Sequence, residues 1–398
     1  MLGRVRRVAI VVHAVFPGDP RVRRQSDALL DAGYEVDIIC LRQAGQEPDE
    51  AIGGLRILRL PLDRGFIGFA WHLAEYLAFT AMATVRMARE HRRRPYDLVQ
   101  VATVPDFLTV AAVPEKLAGV PLLLDLHEDM PQFFRDRFSS PLLRPLLPIV
   151  GAVSRGAAAM ADEIITVHEP LRRLSIERGV EPDRISVVMN SADARLFDPE
   201  RHDRRPFMAD GCLRLIHHSN LQRIYGLDVA IEGLARVRTG VDWQLDVYGD
   251  GPWRPRIEEA IERTGTAGRV TLHGRVPMDD LPGLLAGADI GLVPSLAQPY
   301  LEYSLSTKLL EYAAMGVPAI VSDLATFRHH FTDAAMHFVP GSDPDAIARA
   351  VEARVDDPAG TVAMGREARR QVAAYDWEVQ KARYLEIVGR MCARGGRP

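Results

Sequence analysis

The 398-residue chain exceeds the length at which a single hydrophobic core usually divides, so the sequence predicts two domains. Hydrophobic residues make up 47% and charged residues 26% of the chain, and the formal net charge of −4 gives no general attraction to nucleic acid. The three cysteines, Cys40, Cys212 and Cys392, are scattered, which argues against a disulfide framework or a zinc site and fits a reducing cytoplasm.

The amino-terminal segment is predicted to be a buried first strand rather than a secretory signal. Its residues "RVAIVVH" are mostly small or β-branched, His13 ends a short apolar run, and no small-residue cleavage site follows. A second apolar segment, "FIGFAWHLAEYLAFTAMATVRMA", is long enough for a membrane span, but His72, Glu75 and Arg86 inside it make spanning unfavourable.

Apolar strands alternate with helices in the first half of the chain. A helix over "RVRRQSDALLDAG" follows the first strand, and further strands are predicted at "YEVDIIC", "LRILRL", "DLVQVA", "PLLLDLH", "EIITVH" and "RISVVMN". Nearly continuous apolar strands separated by helices predict a parallel sheet that is covered on both faces.

The second half repeats this pattern, with strands at "LRLIHHS", "WQLDVYG", "VTLHG", "ADIGLVP" and "PAIVS" and helices such as "GLDVAIEGLARV" and "DPDAIARAVEARV". The chain is therefore predicted to be an α/β protein with two doubly wound, Rossmann-like domains that face each other across a cleft. We expect the first domain at residues 1–195, a polar link at 196–212 and the second domain at 213–375. A last helix within 376–398 is expected to pack back on one of the domains, the first being the candidate.

Ligands of open parallel sheets bind beyond the carboxyl ends of the strands, so residues that follow strands are candidates for chemistry. After the first strand, a turn with Gly18 leads into a helix with Arg21, and such a helix start favours anions; the alternative is an ordinary strand–helix turn with surface arginines. After "LLLDL", His127 and Glu128 are able to orient hydroxyl groups or move protons, or, with Asp129, they only cap a helix.

A second group of polar residues follows the first strand of the second domain. Arg223 lies there close to Asn220, and one guanidinium among small polar residues suits a phosphate; the alternative is a solvated loop arginine. The adjacent His217 and His218 are not expected to bind a metal, because neighbouring residues on a strand point to opposite faces.

The segment "STKLLEYAAMGVPAIVSD" places Lys308 and Glu311 three residues apart, and residues with that spacing share one face of a helix. Lys308 supplies positive charge, Glu311 accepts hydrogen bonds from vicinal hydroxyl groups, and Ser306 and Thr307 are predicted to cap the helix. A phosphate site, a diol site and a helix start together describe a nucleotide sugar. The alternative is a surface ion pair worth less than about 1 kcal/mol.

Taken in order, these motifs resemble the family-four glycosyltransferases, which have the GT-B fold of two Rossmann-like domains. The similarity covers nearly the whole chain, and the order of six modest motifs makes it specific. The similar segments are "DPRVRRQSDALLDAGYEVDIIC", "DLHE", "VVMNSADARLFDP", "VYGDGP", "HGRVPMDDLPGLLAGADIGLVPS" and "KLLEYAAMGVPAIVSD".

The resemblance implies metal-independent transfer of a sugar, with retention, from a nucleoside diphosphate donor such as a UDP- or GDP-sugar to a hydroxyl acceptor. It places Glu311 at the ribose, Lys308 and Arg223 at the diphosphate and His127 at the donor sugar. Other donor-side positions are Gly18, Asn220, Gly249, Gly251, Arg275, Ser306 and Thr307. Weaker candidates for the acceptor or sugar side are Arg21, Glu128, Glu302 and Tyr303.

Two departures from the family pattern concern these residues. The family often has two glutamates seven residues apart, but the first position is Tyr303 here, with Glu302 one residue away; the chain resembles a subgroup with the pattern S-L-x-x-K-L-x-E-Y. In the family's G-R-L-x-x-x-K-G segment the basic positions are Asn220 and Tyr225, and Arg223 is expected to substitute.

The acceptor is expected to be a carbohydrate, a lipid-linked sugar or a small molecule, as in polysaccharide, glycolipid or natural-product synthesis. The segment 64–94 combines aromatic residues with a basic end, which suits a helix lying on the inner face of a membrane; the alternative is a core helix with a solvated end. Its aromatic residues include Phe66, Phe69, Trp71 and Phe79.

Three other functions remain open on the sequence alone. An inverting GT-B transferase or a nucleotide-sugar epimerase would share the architecture, and a non-catalytic partner that only binds a nucleotide sugar would share the donor site.

Overall fold

A computed structural model of the protein describes residues 4–62, 68–138, 140–238 and 240–395. The chain forms two compact units, Met1–Asn190 together with Glu378–Pro398, and Ser191–Trp377. Each unit has one mostly parallel sheet with helices packed on it, which confirms the predicted α/β class with two Rossmann-like domains.

The sheet of the first unit has eight strands in the order β3-β4-β2-β1-β5-β6-β7-β8. All neighbouring strands run parallel except β3 and β4, which are antiparallel. The strands are Arg7–Val15 (β1), Glu35–Leu41 (β2), Asp49–Ile52 (β3), Leu55–Leu60 (β4), Leu98–Ala102 (β5), Leu122–Leu126 (β6), Glu163–Thr166 (β7) and Ile185–Val187 (β8).

The sheet of the second unit has six parallel strands in the order β11-β10-β9-β12-β13-β14. These strands are Cys212–His218 (β9), Asp242–Tyr248 (β10), Val270–Gly274 (β11), Ile290–Val293 (β12), Ala319–Ser322 (β13) and His337–Val339 (β14). Every strand predicted from the sequence is present, and β3 and β14 were missed.

Helices connect the strands and cover both sheets. In the first unit they are Pro20–Asp31 (α1), Phe69–Arg93 (α2), Val113–Leu117 (α3), Met130–Arg137 (α4), Leu147–Met160 (α5) and Glu169–Glu177 (α6). In the second unit they are Leu227–Leu234 (α7), Arg254–Thr264 (α8), Leu281–Ala286 (α9), Thr307–Ala314 (α10), Ala325–His330 (α11), Pro344–Asp356 (α12) and Pro358–Val372 (α13). The last helix is Trp377–Gly395 (α14).

The central strand β1 shows why the apolar runs form this sheet. Its residues from Val8 to Val11 are fully buried, because helices lie on both faces of a parallel sheet and alternate side chains point to each face. At its carboxyl end β1 becomes less buried and leads into the turn before α1, where Asp19 accepts hydrogen bonds from the first N–H groups of the helix.

Helix α2 contains the apolar segment for which a membrane role was considered. Phe79, Ala83 and Met87, spaced by one helical turn, are fully buried in the core of the first unit, while Trp71 is 43% exposed. Phe79 is therefore not available to a lipid surface, and Phe66 lies outside the described residues. In the described ranges, no helix combines the length and apolar character that a membrane span requires.

The polar segment before β9 and the last helix are each fixed to one unit. Arg205 forms an ion pair of 2.9 Å with the buried Asp289 in the second unit. In the first unit, α14 is attached by the fully buried Tyr384 and by Arg390, whose guanidinium pairs with Glu163 at 2.6 Å.

Candidate active site

In the first unit, a buried ion pair lies at the carboxyl end of β6. Asp125 is fully buried, and Arg21 of α1 reaches it with Nε, 3.0 Å from both carboxylate oxygens, and with Nη2, 2.7 Å from Oδ1. Gln25 donates a further hydrogen bond of 2.7 Å to Oδ2. Burial alone would raise the pKa of Asp125, but the charges of Arg21 and His127 outweigh it and hold that pKa well below its ordinary value.

His127 lies directly beyond this ion pair and is 16% exposed. Its Nε2 is 3.2 Å from Oδ2 of Asp125, and its Nδ1 is 4.0 Å from Oδ2 of Asp19. Its backbone N–H donates to the hydroxyl of Thr103, which follows β5. The imidazole therefore lies against the Asp125 carboxylate, with that of Asp19 further away on its other side, while part of the ring stays open to solvent.

The buried ion pair continues into a chain of polar side chains that ends on the last helix. The amide of Gln100 donates to Oε1 of Gln25 at 2.8 Å, and the hydroxyl of Tyr384 donates to Oε1 of Gln100 at 2.7 Å. The last helix is thus connected by hydrogen bonds to the strand ends that carry Asp125 and His127.

The other candidate residues of the first unit lie near His127 but differ in burial and in the hydrogen bonds that their side chains make within the protein. Arg21 is buried, and its guanidinium also donates to the carbonyl of Val188 at 2.7 Å, so its charge is committed to the protein. Gly18 is exposed in the turn before α1, where a Cβ atom would lie 2.8 Å from the carbonyl oxygen of Val15. Glu128 lines a cavity of about 320 Å³ with both polar and apolar walls, and Asp129 caps α4 by accepting from the N–H of Gln132.

In the second unit, Lys308 is held at the start of α10. Its side chain is 5% exposed, and Nζ lies 4.0 Å from the ring centroid of Tyr225, which belongs to the 3₁₀ turn Arg223–Tyr225 after β9. Burial lowers the pKa of Lys308 to about 8, and the charge of Glu311 acts in the opposite direction. Since that pKa is above neutrality, the ammonium is charged at pH 7.

Glu311 is one turn further along the same helix and faces the end of β9. Its Oε2 lies 2.6 Å from Nε2 of His218. The neighbouring His217 is fully buried on the opposite face of the strand, where its ring contacts the carbonyl of Leu292 and the hydroxyl of Ser219, each at 2.9 Å. Lys308 and Glu311 therefore face the carboxyl end of the sheet, which excludes the alternative of a surface ion pair.

Glycines allow two loops to approach each other beside this helix. A Cβ atom on Gly249, whose φ is +123°, would lie 1.8 Å from the carbonyl oxygen of Ser219, and one on Gly251 would lie 2.4 Å from that of Leu221. Only glycine permits this contact between the loops that follow β9 and β10. The three polar candidates on the loops after β9 and β11, namely Asn220, Arg223 and Arg275, are exposed.

The residues immediately before α10 differ from the prediction in one respect. Ser306 occupies the N-cap position, but its hydroxyl makes no capping hydrogen bond, so the predicted side-chain cap is wrong; Thr307 is the exposed first residue of the helix. The carboxylate of Glu302 accepts a hydrogen bond of 2.8 Å from the N–H of Ala325 at the start of α11. Tyr303 follows it in the same turn and is half-buried.

Three contacts of these sites were missed from the sequence. Asp125 lies within the run "LLLDLH", where an acidic residue in a buried strand is a signal in itself. His218 is a strand-end residue that was examined only as a metal ligand, and Tyr225 was noted only as a departure from a family pattern. In the described ranges, no three His, Cys, Asp or Glu side chains are grouped to hold a metal ion.

Comparisons with known proteins agree with this architecture. A model described as "Glycosyl transferase 4-like domain" matches residues 18–191, and one described as "Glycosyl transferases group 1" matches residues 213–357. Among solved structures, sucrose-phosphate synthase from Thermosynechococcus elongatus superposes with a TM-score of 0.79 at 19% identity, covering 98% of this chain and 99% of that one. The two Rossmann-like sheets and the similarity to this structure show that the chain has the GT-B fold.

Two curated relatives are similar over most of their length. The 2-deoxystreptamine glucosyltransferase of Streptomyces kanamyceticus is 26% identical over 380 residues, which is 90% of this chain and 87% of that protein. The GDP-mannose-dependent alpha-(1-6)-phosphatidylinositol dimannoside mannosyltransferase of Mycobacterium tuberculosis is 28% identical over 280 residues, 69% of this chain and 68% of that protein. The two successive family matches, which cover residues 18–191 and 213–357, identify the chain as a glycosyltransferase of the family-four type, and the two relatives agree with this.

Proposed function

We propose that the protein transfers a sugar from a nucleoside diphosphate donor to a hydroxyl acceptor, with the second unit holding the donor. Lys308 and Arg223 neutralise the diphosphate, and Glu311 accepts hydrogen bonds from the ribose hydroxyl groups. Support comes from the geometry of α10, where an ammonium and a carboxylate one turn apart both face the end of β9.

The loop glycines complete this proposed donor site. Because Gly249 and Gly251 bring two loops together, Asn220 lies beside backbone that carries no side chain at these two positions, and a nucleotide is able to approach that backbone. Arg275, Ser306 and Thr307 are assigned to the same side of the donor by their positions after β11 and at the start of α10.

The chemical argument concerns the leaving group. As the bond between the sugar carbon and the diphosphate oxygen breaks, negative charge grows on the nucleoside diphosphate. The acceptor oxygen bonds to the sugar carbon, and its proton passes to the departing diphosphate oxygen. Positive charge fixed at the diphosphate stabilises this transition state more than the ground state, so it accelerates the reaction. We assign Lys308 this role because it is charged at pH 7 and its position is fixed by burial.

In the first unit, His127 is proposed to contact the donor sugar near the reacting carbon, since it is the partly open end of the Asp125 cluster. Gly18, in the exposed turn before α1, is assigned to the phosphates. Glu128 is assigned to the acceptor side. The side chains of Arg21 and Glu302 are bonded within the protein, so we assign them the positioning of neighbouring elements rather than direct contact with a substrate.

Retention of configuration, UDP or GDP as the nucleotide, and the subgroup with the pattern S-L-x-x-K-L-x-E-Y are further parts of the proposal. The names of two relatives, which mention 2-deoxystreptamine and phosphatidylinositol dimannoside, support a small-molecule or lipid-linked hydroxyl acceptor. The anomeric configuration of the product, determined by NMR, separates the retaining transferase from an inverting one.

The observation that carries the proposal is the buried, charged Lys308 beside Glu311, and its test has two steps. A thermal-shift screen with UDP- and GDP-sugars should identify the donor, because a ligand that binds only the folded state raises its apparent stability. With that donor, Lys308→Ala should lower the rate about thirtyfold, which corresponds to about 2 kcal/mol for one charge-assisted contact.

Lys116→Ala is the matched control, because Lys116 pairs with Asp162 on the exposed surface of the first unit. This variant should keep the wild-type rate. A folded Lys308→Ala variant with an unchanged rate would refute the assignment of the donor site.

A further inference from the structure

A second cavity of the first unit is lined almost entirely by apolar surface, whereas the cavity beside Glu128 has both polar and apolar walls. It has a volume of about 360 Å³ and lies among α2, α4, α5 and the 3₁₀ helix Asp106–Ala112. Volumes of this order are typical of sites that bury a small ligand. Its walls are aromatic and aliphatic side chains, among them Phe69, Tyr76, Phe107, Phe134, Phe138 and Val153.

Aromatic rings give the cavity a preformed wall. The rings of Phe69, Phe134 and Phe138 pack against one another with centroid separations of 5.2 to 5.5 Å. On the α2 side, the ring of Tyr76 is 6.4 Å from that of Phe107. Packed aromatic pairs hold each other in place, so the space between them is a property of the fold.

Asp106 also belongs to the lining of this cavity, but its carboxyl oxygens expose almost no surface, so the cavity wall itself is apolar. Asp106 is almost fully buried, and in the described chain neither of its oxygens has a hydrogen-bond partner of ordinary geometry, although Ser154 lies near enough to act on it. Burial raises the pKa of Asp106 to about 7, and the charge of Asp129 adds to this, while Ser154 and Arg178 oppose it. The carboxyl group is therefore enclosed by the protein, and the surface that the cavity offers to a ligand is apolar.

The cavity lies at the same edge of the sheet as His127. Asp106 comes three residues after Thr103, whose hydroxyl accepts from the backbone N–H of His127, and Met130 lines the cavity three residues after His127. On the other side, the ring of Tyr76 is 4.6 Å from that of His13 near the end of β1. A molecule that occupies the cavity is thus close to the strand ends where we placed the chemistry.

The apolar lining continues out of the cavity onto the surface. Leu73 and Ile149 line the cavity and are 36% and 59% exposed, and Leu77, one turn after Leu73 on α2, is 53% exposed. This continuous apolar path from the cavity to the surface is longer than a ligand with a single aromatic ring would cover. It matches a chain that fills the cavity and extends beyond it.

We propose that this cavity binds the hydrocarbon chain of a lipid-type acceptor. The inference rests on the proposed function, because it names the acceptor class of the same enzyme. It makes the first unit selective for amphiphiles whose accepting hydroxyl lies within a few bonds of a hydrocarbon chain.

The test uses alkyl glucosides as probes, with the full chain and with probe concentrations below micelle formation. Isothermal titration calorimetry should show that affinity rises from methyl to hexyl to octyl glucoside, roughly threefold to fourfold for each buried methylene group. Octyl glucoside should bind at least tenfold more tightly than phenyl glucoside. Equal affinity for the methyl and octyl probes, or for the phenyl and octyl probes, would overturn the proposal.

Variants of α5 locate the binding. Val153→Phe fills the cavity and should weaken octyl glucoside binding at least tenfold, whereas Ala152→Phe, at the adjacent exposed position, should leave it unchanged. Because Val153→Phe risks disturbing the fold, Ile149→Asp at the exposed rim provides a second test, with Ala152→Asp as its control. Octyl binding that survives both Val153→Phe and Ile149→Asp would overturn the proposal.

The thermal shift produced by the nucleotide-sugar donor separates this inference from the proposed function. A donor shift that persists without chain-length-dependent binding refutes the acceptor inference alone. Chain-length-dependent binding without any donor shift refutes the donor assignment and leaves the cavity as a lipid site.

Discussion

The two strand-end sites hold buried charge in opposite ways. In the first unit, Asp125 is surrounded by donors, and its pKa lies well below the ordinary value because Arg21 and His127 outweigh the effect of burial. In the second unit, burial dominates and lowers the pKa of Lys308 to about 8, since Glu311 compensates only in part. One charge is satisfied within the protein, and the other is held at a cost.

This difference indicates what each site is built for. The Asp125 cluster fixes the position of one partly open imidazole, and the protein alone satisfies it. Lys308 has an aromatic ring as its near neighbour, which tolerates a cation without neutralising it. An anionic ligand at Lys308 would supply the missing negative charge and so gain binding free energy. At Asp125 the counter-charge already comes from the protein, so a ligand has no such gain there.

The largest effect is expected from breaking the satisfied pair. Asp125→Asn keeps the shape but leaves the buried guanidinium of Arg21 without its counter-charge, and removing one partner of a buried ion pair costs about 3 to 5 kcal/mol. Urea unfolding monitored by circular dichroism should show this loss. Asp49→Asn, which breaks the exposed pair with Arg86, should change the free energy of unfolding by less than about 1 kcal/mol. Equal losses in the two variants would contradict the comparison.

The second prediction concerns pH and the uncompensated charge. The pKa of Lys308 is about 8 in the folded protein against an ordinary 10.5, so between these values the unfolded chain binds more protons and the free energy of unfolding rises with pH. Below pH 8 the folded protein carries the full cost of the buried charge, about 3 kcal/mol at about 1.4 kcal/mol per pKa unit. Lys308→Met should remove this cost, and its stability advantage should shrink as the pH rises from 8 to 10.5.

The measurement is the difference in urea unfolding free energy between the wild type and Lys308→Met at pH 7, 9 and 10. Taking the difference removes the titration of groups that both proteins share. A difference that does not depend on pH would show that the pKa of Lys308 is not lowered in the folded protein.

The fold was largely predictable from local patterns. Apolar runs of β-branched residues gave the strands because a parallel sheet is buried on both faces, as at Val8–Val11. Strand β3, "DEAI", was missed because it is a polar, mostly exposed edge strand defined by its antiparallel pairing with β4. Strand β14 has three residues, which is too short to produce a periodic signal.

The sequence predicted the candidate sites only where the residues concerned lie on a single helix or strand. The spacing of Lys308 and Glu311 is a property of one helix, and it placed both side chains on one face. Their partners are on other elements: His218 is 93 residues from Glu311 in sequence, and Asp125 is 104 residues from Arg21. Local patterns do not contain such distances, which depend on how strands are ordered in the sheet.

The smallest change in unfolding free energy is expected for Tyr384, at the end of the hydrogen-bonded chain that begins at Asp125. Tyr312 in the second unit provides the comparison. Tyr384 and Tyr312 are both fully buried, and each donates one hydrogen bond, to Gln100 at 2.7 Å and to the carbonyl of Ile216 at 3.2 Å. Replacing either by Phe removes one buried hydrogen bond, so each variant should lose about 1 kcal/mol of unfolding free energy.

The two tyrosines should differ in a double-mutant cycle with Gln25→Leu. Tyr384 and Gln25 share Gln100 as a partner, so their losses should deviate from additivity by about 0.5 kcal/mol or more, whereas Tyr312 shares no partner with Gln25 and its losses should add. Additive losses for Tyr384 would mean that the last helix only packs against the first unit. Coupled losses would mean that it helps to set the cluster that orients His127, because Gln25 bonds directly to Asp125.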